Sequence, residues 1–274
     1  MTLSGNAPEI LVLDSGLGGL SVCQSLLQKM PGLKIHYLAD NAWFPYGELS
    51  EDALSKRFLY LCEALLKEID PDLVVLACNT VSTLVLPALR ARYSIPFVGV
   101  VPAIKPAAQL SQSKHIGILA TPATVQRVYL DNLIDEFAQD CRVERIGSSE
   151  LVSLAELYVA TGQVDQTSLA EILSPWRGMS GLDTVVLGCT HFPLLLQPLS
   201  QLLPHVRWVD SGEAIARRVW DLLAEVKKNK ATGCKELQHR IMFTKPSEAV
   251  STTLEESLRR LGFAEFSIEL VLQD

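Results

Sequence analysis

The chain has 274 residues, 48% hydrophobic and 20% charged, enough to bury one large core or two ordinary ones, and two compact units are expected. A formal net charge of −7 leaves no broad basic surface for a phosphate backbone, so nucleic acid is not an expected partner. No apolar run reaches the roughly 18 residues that span a bilayer, and the opening M-T-L-S-G-N-A-P-E lacks a basic start and a hydrophobic signal core, so a cytoplasmic protein without membrane contact is expected.

Residues 10–13 read as a short strand, ended by Asp14-Ser15-Gly16-Leu17-Gly18-Gly19 and followed by a helical pattern to Met30 that Pro31-Gly32 stops. A strand, a glycine-rich turn and a helix start gather backbone N–H groups into an anion pocket. The full G-x-G-x-x-G spacing and the P-loop lysine are missing, which argues against a nucleotide. Asp14 would repel a phosphate; it suits a ligand that also carries an amine, or a cysteine needing help with a proton, beside the plain alternative of a helix cap. A second strand, 35–38, leads into Asp40-Asn41-Ala42-Trp43-Phe44-Pro45-Tyr46-Gly47, too aromatic for a mere solvated connection. Ser50-Glu51-Asp52 then opens a scaffold helix with Leu54, Phe58, Leu61, Leu65 and Ile69 at helical spacing.

The stretch D-L-V-V-L-A-C-N-T, 72–80, is a buried-strand run with a cysteine where the run stops, and a helix to about 93 follows, with a strand at 96–100. Val101-Pro102-Ala103-Ile104-Lys105-Pro106 looks like a crossing point. Beyond it the alternation restarts with a strand at 116–119, the turn Ala120-Thr121-Pro122-Ala123-Thr124 and a helix to about 138. A strand at 142–146, a helix at 151–161 that contains Glu156, and another before Trp176 precede D-T-V-V-L-G-C-T-H, 183–191, the second use of the cysteine pattern. A helix from about Pro193, a strand at 207–209, a helix ending at Lys227-Lys228-Asn229-Lys230, a strand at 241–243, a helix at 248–261 and a strand at 266–270 complete the reading.

The six cysteines lack C-x-x-C spacing, which argues for reduced thiols. Cys23 and Cys62 fall on apolar helix faces, Cys141 lies between a helix and a strand, and Cys234 sits in a polar stretch; packing or surface roles are expected for all four. The structural reading is also kept for His36, His115, His205 and His239. Cys78 and Cys189 differ because each ends a strand run, where α/β sheets gather ligands, and they stand about 110 residues apart in duplicated context. Two symmetric thiols suit a nearly symmetric reaction such as inversion of a stereocentre, one removing a proton from a carbon while the other delivers one to the opposite face. Asp14 beside Cys78 and His191 beyond Cys189 are the available helpers, with Glu156 a further second-half acid.

At these residues the chain resembles the cofactor-independent aspartate/glutamate racemase family, and the glutamate racemases within it. The similarity runs from about residue 10 to 216 through D-S-G-L-G-G, P-Y-G, A-C-N-T, V-V-P-A-I-K-P-A, A-T-P-A-T and G-C-T-H. It implies two pseudo-symmetric three-layer α/β domains with parallel-rich sheets and the active site in the cleft between them. It also implies Cys78 and Cys189 as paired acid/bases helped by Asp14 and His191, with no cofactor and no metal. Asp14, Ser15, Tyr46, Gly47, Asn79, Thr80, Thr121, Thr190 and His191 would hold the amino acid, and the product would supply peptidoglycan synthesis. A homodimer is the one assembly held open. The stretch before Glu156 reads S-S-E-L-V-S-L-A-E where the family pattern has C-P-x-x-V-P-L-x-E, and Asn41 and Trp43 stand where Thr and Arg are commoner. The expected division is 1–98 plus 209–274 for the first domain and 99–208 for the second. Aspartate is the runner-up substrate. A zinc site would need Cys78, Cys189 and His191 plus a fourth ligand; a binding protein would not need a thiol on both faces; and no motif lysine suits pyridoxal.

Overall fold

The structure, a computed structural model, describes residues 7–226, 238–246 and 252–271. Strand β1 (Glu9–Asp14) leads to α1 (Leu20–Lys29), β2 (Lys34–Ala39), α2 (Glu51–Ile69), β3 (Leu73–Leu76), α3 (Asn79–Arg92) and β4 (Phe97–Gly99). The middle of the chain continues with α4 (Ile104–Leu110), β5 (His115–Ala120), α5 (Pro122–Val125), α6 (Val128–Phe137), β6 (Arg142–Gly147), α7 (Glu150–Thr161), α8 (Gln166–Ile172), β7 (Thr184–Leu187), α9 (Leu196–Leu202) and β8 (Arg207–Val209). Then come α10 (Gly212–Val226), β9 (His239–Phe243), α11 (Thr252–Arg260) and β10 (Phe266–Leu270).

These strands form two parallel sheets, ordered β10-β9-β2-β1-β3-β4 and β6-β5-β7-β8. Period-two alternation divides the side chains of β1 between two cores: Ile10 and Val12 pack with Leu20, Leu26 and Val219 of α1 and α10, whereas Leu11 and Leu13 pack with Phe58, Leu61 and Val85 of α2 and α3. A strand covered on both faces reads as a continuous apolar run, which is why the cysteine strands do. The second sheet repeats the arrangement. Val185 and Leu187 face Leu151, Leu169 and Leu199, while Val186 joins Ile116 and Ile118 against Ile104 and Leu130. Each buried leucine of these layers contributes about 1.5–3 kcal/mol.

The chain passes between the sheets at two adjacent points. Val101 precedes α4, which packs on the second core, and the Ser211 hydroxyl, at the start of α10, donates to the Val101 carbonyl. Past Ser211 the chain returns to the first sheet, where α10 packs on α1 and β9 pairs with β2.

Local departures from the expected elements have visible causes. The expected turn over 120–124 holds the short helix α5, and the expected helix to about 138 starts only at Val128, because Arg127 is extended (φ −80°, ψ 135°) and its guanidinium reaches Thr80 and Thr83 of α3. After Cys189 the backbone makes a 3₁₀ turn, Phe192–Leu195, before α9, instead of a helix from Pro193. The last helix begins at Thr252; residues 247–251, the Lys227–Lys230 stretch and Cys234 lie outside the described residues. Cys23 and Cys62 are buried in the two cores of the first sheet. His36 and His239 are buried at its amino-terminal edge, where His36 pairs with Glu9 at 3.0 Å and His239 Nδ1 accepts from the Ile35 N–H at 3.1 Å.

Candidate active site

A cavity of about 170 Å³ lies where the carboxyl ends of β1, β3, β5 and β7 converge. It is smaller than the roughly 300–1,000 Å³ pockets of drug-sized ligands, so it fits a single small metabolite. From the first sheet it takes Asp14, Ser15, Tyr46, Gly47, Cys78, Asn79 and Thr80; from the second it takes Thr121, Cys189, Thr190 and His191. Every expected substrate-holding residue therefore lines one space. Glu156 does not line it and stands behind His191.

Cys78 is the residue at which β3 hands over to α3, in extended conformation (φ −144°, ψ 124°). The Ser82 hydroxyl fixes this junction, donating to the Leu76 carbonyl at 3.0 Å and accepting from the Val100 N–H at 2.9 Å. Burial raises the Cys78 thiol well above its ordinary range and the charge of Asp14 adds to this, outweighing the first N–H groups of α3, which favour a thiolate. Asp14 is itself buried. Its carboxyl accepts from the Ser15 N–H at 2.8 Å, the Gly19 N–H at 2.5 Å and the Thr190 hydroxyl at 3.4 Å. Desolvation nevertheless dominates over His191 and these bonds, and pushes its pKa up to about 7.

The second thiol has a different neighbour. Cys189 Sγ lies 3.7 Å from His191 Nδ1, and His191 Nε2 lies 2.7 Å from Glu156 Oε1. Burial works against charge on this imidazole, but the hydrogen bonds and charges of Cys189 and Glu156 prevail, so its pKa is raised well above the ordinary value. The Phe44 ring covers the imidazole with centroids 6.0 Å apart.

The glycine turn after β1 serves this assembly. Three of its N–H groups are used within the protein, those of Ser15 and Gly19 by Asp14 and that of Leu17 by Glu156, whose Oε1 accepts at 2.5 Å. A Cβ at Gly16 would come within 2.3 Å of Glu156 Oε1, and one at Gly18 within 2.3 Å of His191 Nδ1. Glycine is required there because the His191–Glu156 pair packs directly on the turn.

Tyr46 contributes its ring and backbone, because its hydroxyl points away to Asp40 at 2.8 Å. Asn79 Oδ1, in contrast, is buried, sits in the cavity wall and has no hydrogen-bond partner among the described residues. That leaves an acceptor for a ligand N–H. Arg127 bridges the two sides outside the cavity, donating to the Thr80 carbonyl at 3.2 Å and the Thr83 hydroxyl at 2.9 Å. Phe44, Thr124, Ser149, Val152 and Ser153 line the cavity without having been singled out as site residues. The aromatic loop was the one signal available, and it pointed to Phe44.

Two thiols from duplicated strand ends in one small cavity, with Asp14 and His191 beside them, are the parts of an enzyme that moves a proton on and off carbon. The family model Asp/Glu/Hydantoin racemase matches residues 10–219. The chain belongs to that family and is an amino-acid racemase, an isomerase. It is 57% identical over 219 residues to a glutamate racemase from Shewanella sp. (strain MR-7), a match covering 80% of each chain. Against the glutamate racemase of Pasteurella multocida (strain Pm70) identity is 50% over 231 residues, 84% of this chain and 86% of the relative. The crystal structure of Escherichia coli glutamate racemase in complex with L-glutamate and the activator UDP-MurNAc-ala superposes with a TM-score of 0.88 at 44% identity, covering 97% of this chain and 98% of that one.

Proposed function

We propose that the chain interconverts L- and D-glutamate without a cofactor, with Cys78 and Cys189 exchanging the α-proton on opposite faces of the substrate. The observation that carries this reading is the shared cavity, lined by both motif cysteines together with Asp14 and His191, where His191 Nδ1 lies 3.7 Å from Cys189 Sγ and the charge of Asp14 acts on Cys78. Similarity to glutamate racemases across most of the chain supports glutamate as the amino acid, and the E. coli relative is described with L-glutamate bound.

The substrate lies with its α-carbon between the thiols. Asn79 Oδ1 and the Asp14 carboxyl accept from the ammonium group, and the hydroxyls of Ser15, Thr80, Thr121 and Thr190, with the Tyr46-Gly47 backbone, hold the carboxylates. Abstraction by one thiolate is followed by delivery from the thiol opposite. Cys78 takes the proton of D-glutamate and Cys189 that of L-glutamate. Glu156 acts through His191 by keeping the imidazole charged and oriented.

The same proposal includes a first domain of 1–98 plus 209–274 and a second of 99–208, supported by β9 and β10 adding to the first sheet. It also includes a role in supplying D-glutamate for peptidoglycan in the cytoplasm, and a homodimer, read by sedimentation. Among the described residues no helix is long and apolar enough to cross a membrane. Circular dichroism of enantiopure glutamate, incubated with dialysed and chelator-treated protein, is expected to decay to zero. A persistent signal with aspartate racemised instead moves the assignment to aspartate.

A further inference from the structure

Asp40 is fully buried at the carboxyl end of β2, and a carboxylate there needs partners for its charge. Arg57 of α2 supplies a forked pair, Nη2 donating to Oδ1 at 2.7 Å and Nε to Oδ2 at 3.0 Å. Two hydroxyls complete the set: Tyr46 donates to Oδ2 at 2.8 Å and Thr244 to Oδ1 at 2.8 Å. Tyr46 belongs to the cavity wall. Thr244 follows β9 and stands 204 residues beyond Asp40 in the chain.

Thr244 is tied to the same loop at further points. Its hydroxyl accepts from the Ala42 N–H at 3.0 Å, and Asn41 Oδ1 accepts from the N–H groups of Thr244 and Lys245 at 3.1 and 3.0 Å. The Arg57 guanidinium lies over the Trp43 ring, 5.2 Å from its centroid. The loop from Asp40 to Gly47 is therefore strung between a buried ion pair and the end of β9, and its far end, Pro45-Tyr46-Gly47, forms cavity wall beside Thr121. Asp40, Arg57 and Thr244 do not line the cavity.

We propose that Thr244 is a positioning residue for the substrate, acting through Asp40 and Arg57 on the wall made by Tyr46 and Gly47, so that β9 takes part in recognition without touching the amino acid. This rests on the reading of the cavity as the amino-acid site. Removing the hydroxyl leaves a buried carboxylate oxygen and the Ala42 N–H each short of a partner, and the loop shifts to recover them. The thiols sit on other elements, after β3 and β7, and keep their places. A displaced wall weakens substrate and transition state alike, which raises KM and leaves kcat in place.

The test is steady-state racemisation in both directions by Thr244→Val, Thr244→Ser and Arg57→Lys. Thr244→Val is expected to raise KM about tenfold for both enantiomers with kcat within about twofold, and Thr244→Ser to bring KM back to within about twofold of the wild type. Arg57→Lys, which keeps the charge and loses the fork, is expected to raise KM as well. A folded Thr244→Val enzyme with wild-type KM overturns the proposal, as does one whose kcat falls at unchanged KM. If Thr244→Val yields no folded protein, Arg57→Lys decides by the same criterion. Wild-type enzyme that turns over aspartate and not glutamate overturns the substrate assignment alone, and the KM comparison is then made with aspartate. A wild type that racemises neither overturns the reading of the cavity, and this proposal with it.

Discussion

Cys78 and Cys189 end equivalent strands, yet the two sites are built from different chemistry. The first pairs a buried thiol with a carboxyl that exchanges its proton near neutrality, and the thiol faces the opening turn of a regular helix. The second sets its thiol beside an imidazole that holds a proton, anchored by Glu156, at the start of a 3₁₀ turn. A duplicated backbone thus places two like groups, and the residues behind them differ, a carboxyl whose charge acts on Cys78 and an imidazole 3.7 Å from the Cys189 sulfur.

The strongest way to break this comparison is to remove each thiol. Cys78→Ala and Cys189→Ala are each expected to lose racemisation by about 10²–10⁴-fold, because one face of the α-carbon is left without a proton carrier. Each variant should still eliminate a leaving group placed beside the α-carbon, from opposite enantiomers. Identical enantiomer preference in the two variants, or solvent deuterium appearing equally in recovered substrate during the first wild-type turnovers, would replace two bases by one.

The second site is tested next. His191→Asn is expected to lower kcat about a hundredfold, and Glu156→Gln about tenfold. Glu156 is one of the groups that raise the His191 pKa, so its amide should also move the basic limb of the pH profile to lower pH. An unmoved limb in Glu156→Gln would leave Glu156 a purely structural contact to Leu17.

The smallest expected change lies in the first site and is one of shape. The Asp14 carboxyl is half protonated near pH 7, and a step that needs its carboxylate loses rate as pH falls through about 7. Asp14→Asn should remove that acid limb while costing about tenfold at pH 8. A limb that persists in the variant belongs to another group.

The cysteine strands were legible in the sequence because burial on both faces leaves an uninterrupted apolar run, and because the run stops at the same residue type twice. The turn after β1 was legible as a collection of N–H groups, but not what fills it. Asp14 opens the turn and was visible; Glu156 lies 139 residues from Leu17, and no local pattern announces that its carboxylate docks there. The same limit applies to Tyr46, whose hydroxyl is claimed by a carboxylate that also binds Arg57, 17 residues away, and Thr244. The late start of α6 at Val128 was hidden because its reason is a tertiary bond from Arg127 to α3 and not a propensity of Gln126 or Arg127.

The position of β9 also has a consequence for synthesis. In the finished sheet β2 lies between β1 and β9, and Ile35 receives its partner His239 from 204 residues further along the chain. While the ribosome is making the middle of the protein, the emerging first sheet ends in an unpaired β2 whose N–H and C=O groups can recruit another strand. The sheet of β5 to β8 needs no later residue and can close first. A nascent chain stalled between α10 and β9 is therefore the species most prone to associate with its copies, and most in need of a chaperone.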